Sequence, residues 1–464
     1  MAIAAHPDLE QDLARVCREL KDRCEYLEIR VEEAESTDLS FQGPDLESLN
    51  QRQERGGDVR ALVAGAWGFT SFNRLDDVDE MARAAIAQAR LVGGGPVKLA
   101  PVPAVADRVP RALVVDPAEL SLDDKVERVR AMNAIVLAYG KPITTSTSYY
   151  ADRRARIWLA NSEGTGLYQE RADIQAGIAA LAAGEGRVQR RSFSTGSSSD
   201  ASLPGLTEEA VLDACRQCDG LTRAAKPKAG EYTVVIDPKL AGVFAHEAVG
   251  HLSEADHIHE NPRMREIMTI GAELGVPELE IYDTGLVPGS RGALRYDEEG
   301  VLAGRADLIR GGRLVGRLHS RETAGALGET PTGNARAISY RFPPIVRMRS
   351  TYIGPGSATR EEVFKGIKRG LYCVESQGGQ TNMEMFTFSA GVAFLIEDGE
   401  PGELLRDVTL TGNTFKTLKD IEAIEDVTTP SEAGGGCGKG GQAPLPVGFG
   451  APHLRIREVR IGGD

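Results

Sequence analysis

His246 and His251 stand five residues apart, with Glu247 between them, in the run His246-Glu247-Ala248-Val249-Gly250-His251. Two imidazoles beside a carboxylate are a minimal set for activating water. The imidazoles hold a zinc ion, the ion lowers the pKa of its bound water to about 7, and the carboxylate takes the proton. The spacing constrains the backbone. On an ideal helix, side chains four residues apart differ by about 40°, whereas side chains five apart differ by about 140° and share no face. A metal held by both histidines therefore requires the helix to deviate locally. A π-bulge, at roughly 4.4 residues per turn, brings i and i+5 back together. Gly250 is where such a bulge, or an early helix end, is expected. The alternative is two unrelated polar residues on a helix that ends at Gly250. Upstream, Leu240, Val243 and Phe244 form an apolar stripe behind Asp237-Pro238, which predicts a buried helix beginning near Pro238.

The chain has 464 residues, enough for two or three domains with sizeable cores. Hydrophobic residues make up 41%, which fits a globular protein and not a disordered one. The net charge of −14 argues against a broad nucleic-acid surface, which needs basic patches to neutralise phosphates. No apolar run approaches membrane-spanning length, so no membrane partner is expected. The start, Met1-Ala2-Ile3-Ala4-Ala5-His6-Pro7-Asp8, carries no basic segment and turns acidic at once, so no signal peptide is expected. Six cysteines in so long a chain do not form a disulfide framework. The expected compartment is the cytoplasm.

Along the chain, Leu9, Leu13, Val16, Cys17, Leu20 and Cys24 recur at helical spacing. Alternating runs at 26–32 and 58–63 read as strands, and residues 65–69 as a strand turning a corner. Helices are expected over 77–89 and 122–137, with a surface connection over 91–103. Residues 144–150 and 154–160 predict a hairpin turning at Ala151-Asp152-Arg153, with a second turn at 161–164. The serine- and glycine-rich run 192–203 predicts a loop. Thr207 opens a helix whose Cys215 and Cys218 are packing residues, since a lone C-x-x-C inside a helix lacks the setting of a redox or zinc pair. Residues 225–230 read as a linker. After it come a strand at 232–236, the histidine helix, and many short strands, among them 279–282, 314–319, 390–396 and 408–410. Short helices are expected over 361–370 and 417–424. The pattern is α+β: an N-terminal mixed domain over 1–225 and a β-rich C-terminal domain over 226–464 that carries the histidine helix.

Catalytic zinc usually has three protein ligands and one open position. Cys437, in Gly434-Gly435-Gly436-Cys437-Gly438-Lys439, is the best third candidate, because a thiolate binds zinc well and glycines let backbone approach closely. A flexible linker with an incidental cysteine is the competing reading. Glu254, Asp256, His257 and His259 follow within eight residues of His251. They are candidates for ligands, for partners of the ligand histidines, or for solvent-facing loop residues. For His257 and His259 the solvent-facing reading is preferred. His319 and His453 are distant singles and read as structural.

Here the chain resembles the TldD/PmbA metallopeptidases. The similarity lies in Ala245-His246-Glu247-Ala248-Val249-Gly250-His251 with Glu254 and Asp256, in Tyr296-Asp297-Glu298-Glu299-Gly300-Val301, in Leu318-His319-Ser320-Arg321-Glu322-Thr323-Ala324, in Arg347-Met348-Arg349-Ser350-Thr351-Tyr352, in Thr409-Leu410-Thr411-Gly412-Asn413 and in Cys437-Gly438-Lys439. Gly65-Ala66-Trp67-Gly68-Phe69 and Ala160-Asn161-Ser162-Glu163-Gly164 extend it into the first domain. The resemblance implies a zinc site of His246, His251 and Cys437 with Glu247 as general base, acting on short or unfolded peptides. It implies dimers, of one chain or with a paralogue lacking the motif. It assigns nothing to His257 or His259. It also implies links to gyrase modulation and antitoxin turnover, so a regulatory protein that works by binding partners is the rival from another class. A pure binder has no need for both histidines, Glu247 and Cys437 together. A metal hydrolase of non-peptide amides is a third reading. An extended peptide added along a sheet edge would be read by its backbone, giving broad specificity.

Overall fold

The computed structural model describes residues 8–462. Helix α1 (Leu9–Leu20) buries Leu9, Leu13, Val16, Cys17 and Leu20, the stripe its spacing predicts. It covers part of a seven-stranded sheet made of β1 (Tyr26–Gln42), β2 (Asp45–Val63), β3 (Ala66–Phe72), β4 (Ala106–Val109), β5 (Ile143–Asn161), β6 (Gly166–Gly184) and β7 (Arg187–Ser197). The order is β3-β2-β1-β5-β6-β4, with β7 also pairing β6. Strands β2, β5 and β6 have 19 residues each, roughly 60 Å when extended. So long a sheet needs two sets of covers. Helices α1 and α2 (Val78–Val92) pack on Leu27, Ile29, Val59 and Ala61. Helix α3 (Leu122–Ala138) packs on Leu39, Phe41 and Tyr150, and α4 (Glu208–Arg223) on Ile178 and Ala180.

Between these covers the sheet is buried yet polar. Lys125 Nζ lies 2.6 Å from Asp152 Oδ2, both side chains 6% exposed. This corrects the hairpin expected at Ala151-Asp152-Arg153: β5 runs straight through, and its polar residues face a lined cleft and not a turn. The loop expected over 192–203 is also corrected. Ser192 to Ser197 pair with β6 as an edge strand, and the chain leaves the sheet only afterwards. Cys215 and Cys218 are buried in α4, as packing residues should be.

From β8 (Gly230–Ile236) onward the chain forms a closed ring of strands. Strand β8 pairs in parallel with Arg369–Asn382, which pairs with Met385–Glu397, then Thr409–Asn413, then Leu454–Gly462, which returns to β8. A second sheet carries Ile281–Thr284, Ser350–Ile353, Gly448–Ala451 and, at its edge, Thr429–Ser431. Helix α5 (Pro238–Ala245) lies between the two. Leu240 and Phe244 meet the ring residues Ile236, Phe386, Phe388 and Ile456. On the other side Gly242 is so close to Phe449 that a Cβ would come within 2.6 Å of its ring. The strand expected over 314–319 shrinks to Arg313–Leu314, because Arg317 and His319 turn to Glu329. The helix expected over 417–424 is shifted: Asn413 caps Thr414–Lys419, and Ile421–Ile424 is a strand.

The mixed, strand-rich architecture is the α+β class the patterning predicts. The two halves meet through ion pairs that each bury at least one partner: Arg60 to Glu299 at 2.9 Å, Arg171 to Glu298 at 2.7 Å, and Arg291 to Asp173 at 2.6 Å. Breaking such a pair leaves a buried charge without its partner, so the relative placement of the halves is well specified. Among the described residues no helix is long and apolar enough to cross a membrane.

Candidate metal centre

Asp237 caps α5, accepting from Leu240 N at 2.9 Å, and Pro238 occupies the first turn. The helix then passes directly into one π turn, His246–Gly250, and His251 N–H donates to His246 O. This i+5 bond is the deviation that the histidine spacing demands. It brings the two rings to 5.2 Å between centroids at 83°. Position 250 is glycine for a packing reason: a Cβ there would lie 2.0 Å from Met348 Sδ.

Cys437 arrives from a distant hairpin, Cys437–Lys439 paired with Gln442–Leu445. Its carbonyl accepts from Arg347 Nη2 at 2.7 Å. Its Sγ lies 3.4 Å from His251 Nε2. One ligand atom each of His246, His251 and Cys437 falls within 4.8 Å of the other two. Tetrahedral zinc with its usual bond lengths sets sulfur and nitrogen about 3.5 Å apart, so the donor set and spacing fit that ion. His246 Nδ1 is buried with no hydrogen-bond partner. Glu247 Oε2 lies 4.0 Å from His251 Nε2, with its side chain 26% exposed, beside the donors and open to solvent.

Outside the cluster, His251 Nδ1 lies 2.9 Å from Glu254 Oε2. This leaves Nε2 toward the cysteine and fixes the ring plane. Lys439 Nζ sits 3.2 Å from Glu254 and 2.7 Å from Asp256, and donates to Val346 O. His257 and His259 are exposed. His319 bonds Thr323 and Glu329, and His453 bonds Glu425 and Tyr372, both away from the cluster. Of the residues singled out in the sequence, the structure therefore gathers His246, Glu247, His251 and Cys437. Glu254 and Asp256 stand behind them, and the other histidines lie elsewhere.

The models of the PmbA/TldA metallopeptidase domain 1, central domain and C-terminal domain match residues 27–89, 115–229 and 229–463. The chain belongs to the PmbA/TldD metallopeptidase family. A metalloprotease of Synechocystis sp. is 44% identical over 445 residues, covering 96% of each chain. A zinc metalloprotease TldD homolog of Saccharolobus solfataricus is 38% identical over 243 residues, covering 52% of this chain and 54% of its own. TldE of Thermococcus kodakarensis shares the fold, with a TM-score of 0.79 at 19% identity over 98% of this chain and all of its own.

Two members of this PmbA/TldD centre have no assigned role in the sequence reading, Lys439 and Arg347. Lys439 carries a sequence signal: it is two residues beyond Cys437, so in a strand both project to one side. Arg347 gives no such signal, because its partner is a backbone carbonyl.

Burial opposes ionisation of the Cys437 thiol, but hydrogen bonds and charge from His246 and His251 prevail and hold it at about 5. Burial instead pushes Cys17 up to about 12 and Cys215 and Cys218 to about 11. In metal-free protein at pH ~6.5, alkylation mapped by mass should therefore fall on Cys437 first. Labelling that begins only above the ordinary thiol range would contradict this.

Proposed function

We propose that this metallopeptidase cleaves peptide bonds with a zinc ion held by His246, His251 and Cys437 and with Glu247 as general base. The observation that carries the reading is one compact donor set, within 4.8 Å, with a free carboxylate beside it. The zinc named for the Saccharolobus relative supports the choice of ion. When bound, the ion supplies Lewis acidity to a scissile carbonyl and to water. Glu247 holds the proton taken from the attacking water and passes it to the leaving amine. Glu254 keeps His251 oriented.

The substrate in this reading is a short or unfolded peptide bound as an extended strand. A cleft of about 690 Å³ is lined by Phe193 to Ser197 of β7 and by Thr429 to Glu432, and both strands are edges of their sheets. Edge pairing reads backbone, so cleavage should tolerate many side chains. The reading also takes the protein as a cytoplasmic dimer, of one chain or with a metal-free paralogue. A zinc chelator should abolish hydrolysis of an unstructured peptide library, and added zinc should restore it. Hydrolysis that survives complete metal removal, or a preference for one side chain, would overturn the reading.

A further inference from the structure

The loop that presents Cys437, residues 433–436, looks in sequence like slack chain. Each of its three glycines has a separate structural demand. Gly435 has φ +88°, a Cβ on Gly436 would lie 2.5 Å from Leu445 O, and one on Gly434 would lie 2.0 Å from Tyr149 Oη. The last contact is to the N-terminal half. The loop's N–H groups go the same way: Gly434 N donates to Ser194 Oγ at 3.0 Å and Gly435 N to Gln175 Oε1 at 2.7 Å.

Arg291 ties this loop down from a third direction. Its side chain is 1% exposed. Nε and Nη2 grip both oxygens of Asp173 at 2.6 and 2.8 Å, while Nη1 donates to Ala433 O and Gly435 O at 2.7 and 2.8 Å. Its backbone N–H donates to Glu432 at 2.9 Å. Four of the five guanidinium donors are thus engaged, and the planar fork fixes the loop relative to Asp173. Gly196 on β7 leaves the room, since a Cβ there would lie 2.4 Å from Arg291 Cδ.

We infer that the N-terminal half is a positioning element of the metal centre. Asp173, acting through Arg291, and Gln175 and Ser194, acting directly, hold the loop that delivers Cys437 to His246 and His251. The histidines stand on and just after the π turn that continues α5 in the C-terminal half, whereas the cysteine's approach is set by the β6–β7 face of the N-terminal half. The third ligand is then in place only while the two halves are docked, so separation of the halves opens the centre at Cys437 first. The inference rests on the proposed ligand set for its zinc readout and on hydrogen exchange alone for its loop readout.

The test uses the full chain with Asp173→Asn, Gln175→Ala and, as a control on docking away from the loop, Trp67→Phe, which removes a 2.9 Å bond to Glu322. Zinc affinity is measured by chelator competition, and amide exchange of residues 432–438 is followed in metal-free protein. Zinc should bind about tenfold more weakly in Asp173→Asn and Gln175→Ala, the lower end of what outer partners of metal sites contribute. Exchange of Gly434 and Gly435 should accelerate in both, while Trp67→Phe matches the unaltered protein. Gln175→Ala removes one exposed bond and leaves the fold intact, so it stands if Asp173→Asn does not fold. Unchanged exchange of the loop in both variants would overturn the inference, as would an equal loss in Trp67→Phe. If the unaltered protein binds no zinc, the ligand assignment fails, and the exchange result alone still decides whether the N-terminal half holds the loop.

Discussion

Glu247→Gln should lower kcat for peptide hydrolysis by about 10²–10⁴-fold, the range a positioned general base supplies. The change removes a negative charge and a proton acceptor but almost no volume. The closing bond of the π turn runs from His251 N to His246 O and does not involve the Glu247 side chain. Its carboxylate lies beside the donor atoms, 4.0 Å from His251 Nε2. Metal content and thermal stability should therefore stay at the level of the unaltered protein while turnover collapses. KM should change little, since the carboxylate acts on water and not on substrate. A variant that keeps turnover within a few-fold would take Glu247 out of the reaction.

Asp283→Ala is the largest expected loss of stability. Asp283 and Arg349 are both fully buried. The carboxylate accepts from Arg349 N at 2.8 Å, Arg349 Nε at 2.7 Å and Asn334 Nδ2 at 2.9 Å. Truncating it strands a guanidinium in the interior, which costs about 3–5 kcal/mol. In a unit the size of the C-terminal half this lowers the unfolding midpoint by roughly 10 °C. Calorimetry should show the drop in the transition that includes the ring of strands. A midpoint within a degree or two would mean that Arg349 finds another partner, and that the pair does not anchor Ser350–Ile353.

What was legible in the sequence follows from local rules. The five-residue histidine spacing requires a helix to deviate locally if both rings are to bind a single ion, and the π turn is there. Helices α1 and α4 and the cap Thr207 are likewise local signals. Illegible features depend on distant partners. Asp152 reads as a turn residue until Lys125 is seen opposite it in a buried polar cleft. Ser194 and Gly196 read as loop until Gly434 and Arg291 are seen against them. The same holds for Glu254 and Asp256, whose place behind His251 depends on Lys439 arriving from the far hairpin.

The most direct measurement is metal content of the purified protein beside Cys437→Ala, with peptide hydrolysis assayed on both. About one zinc per chain is expected in the unaltered protein, and loss of both zinc and hydrolysis in the variant. Full zinc with unchanged hydrolysis in Cys437→Ala would contradict this, removing the cysteine from the centre despite its 3.4 Å approach to His251.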